Sequence, residues 1–173
     1  MFKKILVAVD GSDHSLHAVA VAADIAQKFA ATLVMLHVLG RGSTSEAEIR
    51  EAEREHLIES AQATAPSVAE APGRLGLSRK VDDTAKIRDV RHASGTELLR
   101  RAEKIARDRG ADQIAQKLTE GNPAKKILEQ AGAHDVDLIV MGARGLSDMQ
   151  GLLLGSVSHK VSHLAACACL TVK

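Results

Sequence analysis

Apolar residues along this chain fall into short continuous runs and into runs spaced at the period of a helix, and the two kinds alternate. Ile5–Val9 and Thr32–Val38 are nearly unbroken apolar runs, the pattern of parallel strands covered on both faces. Between them Ser12 or Asp13 can cap a helix on which Leu16, Val19, Ala23, Ala26 and Ala30 recur at helical spacing. Its alanines permit close packing on a sheet. A third, less apolar strand is predicted within 112–119, around Ile114–Leu118. Asn122 then reads as an N-cap with Pro123 at the first helical position, opening a helix through Ala133. The run Asp137–Met141 gives a fourth strand, and a helix over 155–166 and a strand over 168–172 complete the series. Strands alternating with helices in this way predict an α/β fold, a doubly wound open parallel sheet of five strands with helices on both faces.

At 173 residues the chain suits a single domain, 1–173, with its own core. The middle departs from the alternation. Ser45-Glu-Ala-Glu48 fits a capping box that opens a helix through about Ala61, after which Pro66, Pro72, Gly73 and Gly76 interrupt the pattern. Residues 79–92 are dense in charge, and Ser94-Gly-Thr-Glu97 offers a second capping box. The helix it opens is expected to end near Gly110, with Leu98, Leu99, Ala102, Ile105 and Ala106 apolar. Residues 40–94 are therefore expected to form an enlarged surface excursion, with a helix inside it because a structureless loop of that length is uncommon.

The chemistry concentrates where the fourth strand ends. Gly142-Ala-Arg-Gly145, nine residues, then Gly155-Ser156 lie between that strand and the next amphipathic stretch. Glycines there let backbone N–H groups approach a polyanion, and the following helix start adds unpaired donors and the positive end of its dipole. Ser156 can add a hydroxyl, and Arg144 can pair with a phosphate bidentately or point to water. In an open α/β sheet, ligands bind at the carboxyl ends of the strands where the order reverses. An order of 3-2-1-4-5 sets the first strand's end, at Asp10, beside the fourth's, at Gly142. Asp10 could then meet a sugar while the glycine loop holds phosphates. The plainer readings are a turn or helix-capping carboxylate for Asp10 and an ordinary turn for the glycines. The Walker A pattern is excluded because no Gly-Lys-[Ser/Thr] is present. With no evident base and no second carboxylate pair, binding without efficient turnover is the natural inference, and no residue is assigned a catalytic role.

The pattern G-2x-G-9x-G-[ST] after Asp137-Leu-Ile-Val-Met141 resembles the nucleotide-binding signature of the universal stress proteins. Lys4-Ile-Leu-Val-Ala-Val-Asp10-Gly-Ser12 looks like that family's first strand, Glu120-Gly-Asn-Pro123 with Ala124, Ile127 and Leu128 like its third strand–helix junction, and Val161 to Val172 like its closing helix and strand. The likeness covers residues 2–39 and 95–173. Cys167-Ala-Cys169 stands where families of this kind usually carry Cys-Pro-Val. The resemblance implies a fold like the adenine nucleotide alpha hydrolases and ATP as ligand, with any Mg or Mn carried through the phosphates. It implies a nucleoside pocket lined by Asp10 and the second strand's end near Val38, with the triphosphate on Gly142, Gly145, Gly155 and Ser156. It also implies a homodimer through the strand 168–172, whose outer groups an edge position leaves unpaired. The expectation is a cytoplasmic, ATP-binding stress-response protein that acts as a nucleotide-dependent dimeric sensor on a regulatory partner. The alternatives are a nucleotide-independent dimeric interaction module and an adenylating or slow ATP-hydrolysing enzyme.

Composition narrows the partners. With 23 basic against 22 acidic residues no global field favours nucleic acid or an anionic membrane. Two Phe and no Trp or Tyr leave no base-stacking surface of the kind single strands need. Met1-Phe-Lys-Lys is too short for a signal n-region, no run reaches membrane-spanning length, and two cysteines make no disulfide framework, so a reducing cytoplasm is expected. His159 and His163 share a helical face with Cys167 four residues on, yet an ordinary closing helix explains them better than a metal. His14 and His17 are expected to face solvent.

Overall fold

In the computed structural model, which describes residues 2–40, 77–146 and 154–173, the alternating runs become nine elements in the described residues. They are β1 (Lys4–Ala8), α1 (Asp13–Phe29), β2 (Thr32–Leu39), α2 (Leu77–Asp108), β3 (Ile114–Glu120), α3 (Pro123–Ala133), β4 (Leu138–Gly142), α4 (Ser156–Leu164) and β5 (Ala168–Val172). The strands form one sheet in the order β3-β2-β1-β4-β5, with parallel pairing throughout. This is the doubly wound arrangement that the alternation predicts.

Period-two alternation along the strands splits the core into two layers. Ile5, Val7, Leu33, Met35, Leu138 and Val140 face α1 and α2, meeting Val19, Ala22, Ala26, Leu99 and Ala102. Leu6, Leu36, Ile139 and Met141 face α3 and α4, meeting Ile127, Ala131 and Val161. The central strands are buried on both faces, so they read as continuous apolar runs. β3 lies at one end of the sheet order, is only partly buried, and carries the weaker apolar signal for that reason. Phe2 and Phe29 meet edge to face at 5.6 Å, beside the α1 layer.

The helices start and stop largely where local chemistry says. Ser12 caps α1 by accepting from Ser15 N, and the chain leaves α1 through Ala30 at φ 51. Asn122 caps α3 by accepting from Lys125 N, with Pro123 in the first turn. α2 differs from expectation, because it begins at Leu77 and runs through the Ser94 capping box. Glu97 turns forward to Arg100, at 2.7 Å, and to Arg101, at 3.2 Å, partners on the same helical face. The Arg100 guanidinium holds the Glu97 carboxyl down at about 2.

The chain divides into two compact units, Met1–Arg41 with Gly95–Lys173, and Gly42–Ser94. The first carries the sheet. In the second, the described part is helical from Leu77 to Ser94. The helix expected to end at Ala61, the Pro and Gly residues after it and the rest of residues 41–76 lie outside the described residues. Among the described residues, no helix is long and apolar enough to cross a membrane.

One carboxylate fastens the start of β1. Asp137 Oδ2 accepts from Lys3 N at 2.7 Å and Lys4 N at 2.9 Å, while Asp137 N donates to Lys4 O at 2.9 Å. Those two amides hold the Asp137 carboxyl below the usual carboxylate range. A carboxyl depressed by folding contributes stability above its unfolded value, near pH ~4, and that contribution is lost as pH falls through the lower folded value. Asp137→Asn keeps an acceptor but no charge. Urea unfolding between about pH 6 and 2 should therefore show the parent losing more stability than Asp137→Asn as acid is added. Parallel pH curves for the two proteins would refute this role.

Candidate functional site

β1, β2 and β4 deliver their carboxyl ends to one cavity of about 350 Å³, closed by the starts of α3 and α4. Its apolar lining includes Leu36, Val38, Ile127 and Met141, and its polar lining includes Asp10, Ser15, Arg144, Ser156 and Ser158. All seven residues singled out in the sequence, Asp10, Val38, Gly142, Arg144, Gly145, Gly155 and Ser156, line this cavity.

The β1–α1 turn forms one side. Gly11 sits at φ +88, a backbone that side chains rarely allow. Ser15, only 2% exposed, fills the turn: its Oγ donates to Ser12 O at 2.9 Å and accepts from Gly11 N at 3.1 Å and Asp10 N at 3.3 Å. Asp10 Oδ1 accepts from Ser12 N at 3.0 Å and from Ser12 Oγ at 2.6 Å. That is the turn carboxylate of the plainer reading. Its Oδ2, however, lies only 2.5 Å from where a Cβ on Gly145 would stand, so the same side chain also reaches the glycine loop.

The loop after β4 is closed at its neck. Ala143 N donates to Val172 O at 2.6 Å, and Ala143 O accepts from Gly155 N at 2.7 Å and from Ser158 Oγ at 2.8 Å. Ser12 Oγ reaches across from the other turn to Arg144 O at 3.4 Å. Residues 147–153 lie outside the described residues.

The loop glycines differ from Gly11. None of Gly142, Gly145 and Gly155 has a positive φ, so conformational freedom is not what they supply. A Cβ on Gly142 would stand 2.9 Å from the backbone of His14 and Arg144, and one on Gly145 would press on Asp10. Both need the space. Gly155, at φ −70 and ψ 161, has at least 3.5 Å of clearance from the described residues, so none of them requires glycine there. Its N–H is already taken by Ala143 O. The donors facing outward belong to the first turn of α4, at Ser156, Val157 and Ser158, since helical pairing resumes only with His159 N, which donates to Gly155 O at 2.9 Å. Among the described residues no side chain caps this turn. An uncapped helix start opening on a glycine-lined cavity attracts an anion through its free N–H groups and its dipole.

Ser15 and Ser158, the latter 4% exposed, were not singled out from the sequence. Ser-x-x-Ser straddling a helix start, as in Ser12–Ser15, is the signal that could have found the first. His14 is half-buried rather than solvent-facing, with its Cβ against Gly142. His17 is exposed and its Nδ1 bonds Lys173 O at 3.0 Å. His159 and His163 are exposed, and among the described residues no group of three His, Cys, Asp or Glu could hold a metal. Cys167 and Cys169 are free thiols packed beside the α3 and α4 layer, and burial pushes both above their ordinary value. They serve as small apolar groups.

A family model described as the universal stress protein family matches residues 1–173. The universal stress protein YxiE of Bacillus subtilis (strain 168) is 34% identical over 173 residues, covering 100% of both chains. Universal stress protein UspA from Lactobacillus plantarum superposes with a TM-score of 0.72 at 23% identity, over 99% of this chain and 98% of that one. A universal stress protein solved in complex with cAMP superposes with a TM-score of 0.60 at 24% identity, over 99% of this chain and 96% of that one.

The glycine geometry separates two substitutions. Gly142→Ala forces a Cβ onto backbone and is expected to lower stability by about 1–3 kcal/mol. Gly155→Asp fits its backbone and supplies the missing cap, so stability should be unchanged or rise by up to ~1 kcal/mol. Urea unfolding reads both, and equal losses at the two positions would contradict this explanation of the glycines.

Proposed function

The chain belongs to the universal stress protein family, and we propose that it is an ATP-binding regulatory member that acts as a nucleotide-dependent homodimeric sensor in the cytoplasm. The observation that carries the reading is the uncapped first turn of α4, which meets the space kept open by Gly142 and Gly145 in a cavity with an apolar lining. Phosphates suit the turn, and a base suits Val38, Leu36, Ile127 and Met141. Asp10 Oδ2, which neighbours Gly145, would accept from a sugar hydroxyl. A solved protein of the same fold carries cAMP, which supports an adenine nucleotide as the class of ligand. Any Mg or Mn would be carried by the phosphates, whose charge it would neutralise. Binding a regulatory partner is the expected output.

Gly155→Asp tests the ligand. It places a carboxylate where phosphate should approach and occupies first-turn donors, so ATP affinity should fall at least tenfold, about 1.4 kcal/mol, while the fold keeps its stability. Calorimetry with ATP measures this, and unchanged affinity would place the nucleotide elsewhere.

The dimer would form through β5, which ends the sheet order and so offers an edge to a two-fold copy. Val172 O accepts from Ala143 N, so Val172 faces β4. By alternation Leu170 faces β4 as well, and Cys169 and Thr171 present their backbone groups outward. Thr171→Pro therefore removes an outward donor and leaves the β4 ladder intact. Sedimentation should give about twice the 18.3 kDa chain mass for the parent at tens of micromolar, and a shift toward monomer for Thr171→Pro. A monomeric parent overturns the dimer, and a dimer formed equally without ATP favours the interaction-module alternative.

A further inference from the structure

β1 and β2 stop pairing at the floor of the cavity, and a histidine on β2 bonds the carbonyl just beyond their last pair. The last paired residues are Ala8 and Leu36. Val9 N still reaches Leu36 O at 2.9 Å, but Val9 O lies 2.7 Å from Nδ1 of His37. A carbonyl can only accept, so this partner requires the ring proton on Nδ1. The peptide between Val9 and Asp10 is thereby held at both ends, its oxygen by His37 and its N–H by Ser15 Oγ at 3.3 Å. The next atom along the chain is the Cα of Asp10, whose carboxylate faces Gly145.

The ring acts from the far side of the sheet. Val38 lines the cavity, so alternation places its neighbour His37 on the opposite face, toward α1 and α2. There the backbone of α2 comes close at a buried glycine: a Cβ on Gly95 would stand 3.0 Å from His37 Cδ2 and 2.9 Å from Leu118 Cδ1. Glycine at that turn of the helix leaves the imidazole its seat.

We propose that His37 is a positioning residue for the cavity, fixing the Val9–Asp10 peptide through its Nδ1 proton and so aiming the Asp10 carboxylate at the ligand. The inference rests on the nucleotide reading only for its effect on affinity, because the positioning itself shows in the unliganded protein. Asparagine puts an amide nitrogen where Nδ1 stands, whereas glutamine, one methylene longer, puts it near Nε2. The test compares the full chain with His37→Asn and His37→Gln by NMR and by calorimetry with ATP. The expected results are a parent ring protonated on Nδ1, backbone amide resonances of Asp10 and Ser12 kept in His37→Asn and displaced in His37→Gln, and ATP affinity within about twofold for Asn but about tenfold weaker for Gln. A parent ring protonated on Nε2 alone, or Asp10 and Ser12 resonances indifferent to Gln, would overturn the proposal. If the parent binds no ATP, the nucleotide reading fails while the tautomer and the two resonances still decide on His37. Should His37→Gln not fold, the parent tautomer and the Asn resonances decide in its place: a ring protonated on Nε2 alone, or resonances displaced in His37→Asn, would overturn the proposal.

Discussion

The backbone of Ala143 is the point on which the site depends. Its N–H is bonded to the end of β5 and its carbonyl to both Gly155 N and Ser158 Oγ, so the last strand, the glycine loop and the start of α4 share one fixed junction. Together with Val161, buried on the same layer, that clamp sets the first turn of α4 against β4. Because the clamp uses the N–H of Gly155 itself, it also decides which amides are left to face the cavity.

The three loop glycines and Gly11 look alike in a motif, yet they answer to different physics. Gly11 is held at a positive φ, where the absence of a side chain relieves backbone strain. Gly142 and Gly145 have ordinary backbones and are crowded by His14, Arg144 and Asp10. Gly155 is neither strained nor crowded by the described residues. Asp10 shows a similar division within one side chain: Oδ1 serves the turn and Oδ2 serves the loop, so the structural and functional readings of that residue are compatible.

Much of this was legible because central parallel strands are buried on both faces and write themselves as continuous apolar runs. Once the order was granted, the strand ends set Asp10 beside Gly142 without any knowledge of side-chain packing, and the resemblance supplied Val38 and the rest of the glycine-loop set. The start of α2 was not legible, because Ser-x-x-Glu is equally a helix opening and a mid-helix segment; in the folded chain Glu97 pairs forward with Arg100 and Arg101. Ser15, Ser158 and His37 also escaped. Ser158 and His37 act through backbone groups 15 and 28 positions away that only the folded chain brings within reach, while Ser15 bonds groups of its own turn. Which of the loop glycines needs positive φ and which needs room was not legible, because sequence alone does not separate the two.

Both phenylalanine rings of the chain are accounted for outside the cavity: Phe2 and Phe29 pack on one another beside α1, and no Trp or Tyr exists anywhere in the sequence. A base bound as proposed would therefore lie between aliphatic walls with no ring to stack on, and its identity would be read by main-chain edges and by shape. The same scarcity makes the polypeptide almost transparent in the near ultraviolet. Any purine it carries through purification would dominate the absorption spectrum, so the occupancy of the cavity is, for this protein, something a spectrophotometer can see.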